Sequence, residues 1–227
     1  MSAPWQPWET IPVALAALVG TALVSLILAA LTGGIGGLSY QLTILAFPTA
    51  LAAFTVLWVG VRYRAVDALR LRSLRGTADV ALGGLYGAAL FGLTTLAVFP
   101  VVSFLWEIVV GHPPSPISQP VIPADPGPVE VVFGVVAVVL AAPIGEEVFF
   151  RGMLYGSLRG RFGFAVAAAI SSLAFALVHV QPPLVVLMFF VGFGLAFVFE
   201  RRRSLVAPIA AHAAFNLIGF TLILLVR

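Results

Sequence analysis

The sequence predicts an all-α protein, a polytopic transmembrane helical bundle of about seven spans, or eight if one of its two longest apolar segments is broken. Of 227 residues, 61% are hydrophobic and only 9% are charged. A soluble domain carries about 25% charged residues and needs them to make its surface. The apolar residues also fall into runs close to the ~20 that a helix needs to cross the hydrocarbon of a bilayer. The basic residues, all arginines, gather between those runs at the ends of helices.

The expected spans are Ile11–Leu31, Leu42–Val61, Val80–Val110, Val129–Leu158, Phe164–Val180, Leu184–Phe199 and Leu205–Val226. Residues Met1 to Glu9 contain no lysine or arginine. A secretory signal needs a positive start, so the first apolar run is expected to be a retained spanning helix. Gly33-Gly34-Ile35-Gly36-Gly37 reads as a short turn after it. Residues 62–75 interleave Arg62, Arg64, Arg70, Arg72 and Arg75 with Val66, Leu69, Leu71 and Leu74. That basic, partly amphipathic stretch suits the surface of an anionic membrane; a solvated loop that sets topology is the equal alternative. Residues 111–128 hold seven prolines and no arginine, which excludes a helix there. Gly83 with Gly87, and Gly152, Gly156 and Gly160, recur at four-residue intervals. Small residues at that spacing let helices approach closely in lipid. Residues 1–128 and 129–227 are expected to form one integrated membrane domain.

The arginines set the expected orientation. With the N-terminus in the cytoplasm, the clusters at 62–75, 159–161 and 201–203 all fall inside, following the positive-inside bias. The chain is therefore expected to be a multi-pass protein of a bacterial cell membrane, with the bilayer as its constant partner. The net charge of +3 lies at helix ends and not across a polar face, which argues against nucleic acid. The absence of cysteine removes disulfides, cysteine-rich metal sites and a cysteine nucleophile.

A charged side chain at the bilayer centre costs roughly 2.5–3.5 kcal/mol on insertion scales. Three short clusters carry such residues: Glu146-Glu147-Val148-Phe149-Phe150-Arg151, Phe175-Ala176-Leu177-Val178-His179 and His212-Ala213-Ala214-Phe215-Asn216. Glu147 and Arg151 stand four apart and can pair on one helix face. That leaves Glu146, about 100° round the helix, without a local partner. His212 and Asn216 share a face by the same spacing, and Phe175 lies one turn before His179, where it can wall a site. Counted from the turn near Gly160–Gly163, Glu146 and His179 reach a similar level of an antiparallel hairpin.

A carboxylate facing a histidine in a low-dielectric cavity is suited to activating water. A second histidine and an asparagine can donate hydrogen bonds to a developing oxyanion. Alternatively, Glu146, His179 and His212 suit a zinc ion that polarises the water. Either way the chemistry is hydrolysis of an amide bond, and the implied substrate is a peptide or a membrane protein. The strings of other intramembrane hydrolases are missing. His212 lacks the His-Glu-x-x-His continuation, Ser157 has no nucleophile signature, and Asp67, Asp79 and Asp125 lie in loops or at helix ends.

Glu-Glu-x-x-x-Arg at 146–151, Phe-x-x-x-His at 175–179 and His-x-x-x-Asn at 212–216 resemble, in order and spacing, the motifs of the CPBP family. These are the CAAX prenyl protease 2 and bacteriocin-processing intramembrane proteases, also called Abi or lysostaphin-resistance-protein-A-like. The resemblance covers about residues 129–226. Residues 1–128 share with the family only apolar helices and a basic segment. It implies a membrane-embedded endopeptidase with a cavity open toward the cytoplasm. By that similarity Glu146 with His179 activates the water, His212 and Asn216 stabilise the oxyanion, and Glu147 and Arg151 support the site. The family is described both as metal-dependent and as a metal-free glutamate protease. Asn216, a poor zinc ligand and a good oxyanion donor, favours the second. Eukaryotic members trim the last three residues of prenylated proteins, while bacterial relatives are linked to peptide maturation, bacteriocin self-immunity and membrane signalling. A non-enzymatic immunity or signalling regulator on the same fold is the alternative reading.

Overall fold

The computed structural model describes residues 3–33, 37–73, 75–114, 126–180 and 182–226. Gly34–Gly36 of the glycine turn, Leu74 of the basic segment, residues 115–125 of the proline-rich loop (Asp125 among them) and Arg227 lie outside the described residues.

After a short 3-10 turn at Pro7–Glu9, the described chain winds into seven helices and no strand. They are α1 (Thr10–Thr32), α2 (Gly37–Tyr63), α3 (Thr77–Val110), α4 (Pro128–Arg159), α5 (Phe164–Leu177), α6 (Pro182–Arg202) and α7 (Val206–Leu225). All except α5 are long and apolar enough to cross a membrane. Neither long helix is broken in two. At 34 and 32 residues, α3 and α4 reach about 51 and 48 Å, well beyond a ~30 Å hydrocarbon layer.

Both long helices contain π-helical stretches, and proline explains two of them. Thr94–Val98 ends two residues before Pro100, and Val135–Ala141 ends two residues before Pro143. A proline ring collides with the carbonyl four residues back, and widening the helix relieves the collision. The third stretch, Val148–Tyr155, has no proline after it. It holds Arg151 and directly follows Glu146 and Glu147.

α5 departs from expectation. It has 14 residues, about 21 Å, and stops at Leu177 instead of running to Val180. Val180 takes a left-handed backbone at φ 62°, an outlying conformation for a β-branched residue. His179 and Val180 close the end with N–H bonds three residues back, to Ala176 and Leu177, and Pro182 then opens α6. His179 therefore sits in a turn past the helix.

Helix ends sort by charge. Leu205 N–H donates to the Arg70 carbonyl, Arg202 pairs with Asp79, Arg159 with Glu200, and Arg62 with Glu9. These bonds bring the ends carrying Arg62–Arg75, Arg159–Arg161 and Arg201–Arg203 to one side of the bundle, together with the start of α1. Trp5, fully buried, donates its indole N–H to the Met153 carbonyl of α4 at 2.9 Å.

Glycines set the closest approaches. A Cβ on Gly83 or Gly87 would overlap the Ala207 or Ala211 carbonyl of α7, and one on Gly145 would overlap the Pro48 carbonyl of α2. The expected packing role of Gly83 and Gly87 is met in the α3–α7 contact. Polarity is inverted relative to a soluble fold. Leu15, Leu18, Leu23, Leu26, Ile27 and Leu31 of α1 are exposed, whereas every residue from Glu147 to Leu158 is buried. Lipid accepts the first arrangement, and backbone satisfied within helices permits it.

Candidate active site

Glu147 and Arg151 of α4 form an ion pair, Arg151 Nη1 to Glu147 Oε1 at 2.8 Å, with both side chains 0% exposed. Two charges taken out of water need further partners, and Arg151 finds them on α5 and α6. Its Nη2 donates to the Gly192 carbonyl at 3.0 Å, and its guanidinium lies 4.5 Å from the Phe175 ring centroid. Gly192 is small enough for Phe175 and Ser172 to press against it.

α7 adds His212, also buried, whose Nδ1 meets Glu147 Oε1 at 3.1 Å. A carboxylate oxygen accepts, so the hydrogen of the neutral imidazole sits on Nδ1 and the Nε2 lone pair faces the other way. It faces Glu146, with Nε2 to Oε2 at 3.9 Å. That carboxylate oxygen is buried and has no hydrogen-bond partner among the described residues. In the neutral form of His212, two acceptors therefore face each other across a gap too long for a direct bond.

His179 joins through an aromatic ring. The Phe175 centroid lies 5.0 Å from that of His179 and 5.7 Å from that of His212. His179 Nδ1 donates to the Phe175 carbonyl at 2.9 Å, which again leaves Nε2 as the free acceptor. The α4–α5 hairpin sets this level: Ser171 Oγ donates to the Phe150 carbonyl and Phe150 packs edge-on against Phe175. The carboxylate of Glu146 comes within ion-pair distance of His212, while among the described residues no ion pair joins it to His179. An imidazole past a helix end, held by its own helix's carbonyl, lies beyond the reach of hairpin counting.

Asn216 has a definite local bond. Its Nδ2 donates to the Val138 carbonyl at 2.8 Å. That carbonyl is stranded by the π register: Ala142 N–H bonds to Ala137, and the next residue, Pro143, has no N–H to give. One amide hydrogen is thus used, and the second is free for another acceptor.

The expected metal set does not gather. Among the described residues no group of three His, Asp or Glu side chains has metal-holding geometry, so Glu146, His179 and His212 do not fit as a preformed zinc site. Sequence reasoning missed the Gly192 and Val138 carbonyls and the approach of α2 at Gly145. The proline five residues after Val138 is the sole signal among these. Nothing local marks Gly192 or Gly145, because their partners lie on other helices.

Residues 128–218 match the Rce1-like family, described as type II CAAX prenyl endopeptidase Rce1-like. A Bacillus subtilis (strain 168) protein named "Putative membrane peptidase YdiL" is 35% identical over 77 residues, 34% of this chain and 32% of that protein. The match thus spans about a third of the relative's length. No solved structure matches the chain. The matched segment contains Glu146, Glu147, Arg151, Phe175, His179, His212 and Asn216 together, so the likeness to the Rce1-like family falls on the part of the chain that carries the site.

Proposed function

We propose that this protein is an intramembrane endopeptidase that hydrolyses peptide bonds of membrane-associated substrates, with Glu146 as the general base. The observation that carries the reading is the buried, unpartnered Glu146 Oε2 opposite the Nε2 of His212. Two facing acceptors call for a shared donor, and water is the smallest group that supplies two O–H bonds. Glu147 and Arg151 hold His212 in the tautomer that makes this possible.

In the proposed step the water oxygen attacks the scissile carbonyl carbon while one proton passes to Glu146. The developing oxyanion takes hydrogen bonds from the second amide N–H of Asn216 and from the Nε2–H of His212 or His179 when that imidazole has taken up a proton from solvent. The proton held by Glu146 then passes to the amide nitrogen as the C–N bond breaks. No step is routed through a metal, because the candidate donors are not collected into a set. The positive-inside bias places the arginine-bearing end, and with it the N-terminus, in the cytoplasm. A prenylated peptide is the first substrate class to try, given the family description.

The test is cleavage of a quenched fluorescent prenylated peptide by purified protein in detergent. Glu146→Gln keeps the shape and removes the base, and a loss of roughly 10²–10⁴-fold is expected. Turnover is expected to survive a zinc chelator. Wild-type rates from Glu146→Gln would reject the assignment.

A further inference from the structure

Away from the active site, the arginine-bearing end holds an open cleft of about 530 Å³ lined by Val66, Asp67, Arg70, Leu71, Arg72 and Arg203. Three guanidiniums share it with one carboxylate. Among the described residues none of the three arginines takes part in an ion pair, although Arg62, Arg151, Arg159 and Arg202 each do. Burial first, and then the like charge of Arg203, push the Arg70 guanidinium below its ordinary range, with Glu200 offsetting only in part. The fold therefore holds like charges together without neutralising them.

It does so in an unfavourable backbone. Arg70 and Arg203 stand at φ 59° and 54°, in the left-handed region that L-residues with a Cβ avoid. Neighbouring bonds impose both conformations. Arg70 N–H donates to Asp67, the Arg70 carbonyl accepts from Leu205 N–H at 2.9 Å, and Arg203 N–H donates to Phe199 at 2.7 Å. Backbone strain of this kind persists where the surroundings over-determine it, and it clusters at functional sites.

The remaining lining is apolar. Val66 and Leu71 flank the guanidiniums, and Leu71 is exposed. A small free anion has no use for such a wall, whereas an amphiphile with a phosphate next to glycerol and acyl carbons does. The cleft also lies at the arginine-bearing ends of helices long and apolar enough to cross a membrane, and such ends are where a spanning helix meets headgroups.

We propose that this cleft is a binding site for the phosphate headgroup of an anionic phospholipid. It reaches the catalytic helix through two buried side chains. Leu69 and Leu205, each next to an element of the cleft, both pack on Gly152 of α4, the residue after Arg151. A second, smaller cavity shares Asp67 and Arg70 with the cleft and extends to Gly152 and Gly156. The inference stands whether or not the protein is a protease.

The test is native mass spectrometry of the full chain released from micelles doped with phosphatidylglycerol or phosphatidylcholine. Wild type is expected to retain phosphatidylglycerol over phosphatidylcholine. Arg70→Ala with Arg203→Ala is expected to weaken that retention roughly tenfold or more. Arg64→Ala with Arg75→Ala removes the same charge from the same end outside the cleft and is expected to leave retention intact. Equal retention of the two lipids, or equal loss in both double variants, would overturn the proposal. Displacement of the lipid by millimolar inorganic phosphate would also overturn it, by making the cleft a free-anion site. If the cleft double variant fails to fold, Arg72→Ala, an exposed position, carries the same comparison against Arg64→Ala.

Discussion

Arg151→Met tests the buried ion pair most directly. The substitution keeps a long apolar side chain and deletes the guanidinium. Three interactions go with it: the 2.8 Å pair with Glu147, the 3.0 Å bond to the Gly192 carbonyl and the stacking over Phe175. Glu147 keeps His212 Nδ1 as a donor, but its charge is left uncompensated at 0% exposure. Stripping one partner from a buried pair costs about 3–5 kcal/mol, or about 10²–10⁴-fold in the folding equilibrium. Replacing both charged groups by apolar or neutral groups is often neutral or better, so Glu147→Gln with Arg151→Met is expected to regain most of the loss. Reversible unfolding in mixed dodecylmaltoside and SDS micelles, followed by tryptophan fluorescence, measures both variants. An Arg151→Met protein within about 1 kcal/mol of wild type would refute the argument. So would a double variant no more stable than the single.

Gly145→Ala forces a methyl group into the Pro48 carbonyl of α2, and overpacking of this kind costs about 1–3 kcal/mol. Because Glu146 is the next residue, turnover is expected to fall along with the melting temperature; a silent substitution would show that α2 yields freely. Asn216→Ala strands the Val138 carbonyl, with an expected loss of about 1–3 kcal/mol and slower turnover. Unchanged melting would mean that the π stretch finds another donor. Trp5→Phe preserves the ring and deletes the N–H bonded to Met153, costing about 1 kcal/mol; equal melting temperatures would remove Trp5 as a tie to α4.

The sequence by itself determined the number and order of the helices and the residues to suspect. Both follow from quantities that are local along the chain. An apolar run of a given length has one way to satisfy its backbone in lipid, and a charge inside such a run is expensive enough to need a reason. The Glu147–Arg151 pair was legible for the same cause, since a four-residue spacing puts both groups on one face.

Tertiary structure alone decided how those residues meet. Glu146 approaches His212 from another helix, and His179 is held by the Phe175 carbonyl of its own helix, because α5 ends at Leu177 and a left-handed Val180 follows. Asn216 supports Val138, because Pro143 and a π register on another helix leave that carbonyl without a donor. The unneutralised arginine cleft arises when Leu205 N–H joins two loops some 130 residues apart. Each of these depends on contacts between helices, where side-chain shape and backbone register set the geometry, and periodicity within one helix carries no record of its neighbours.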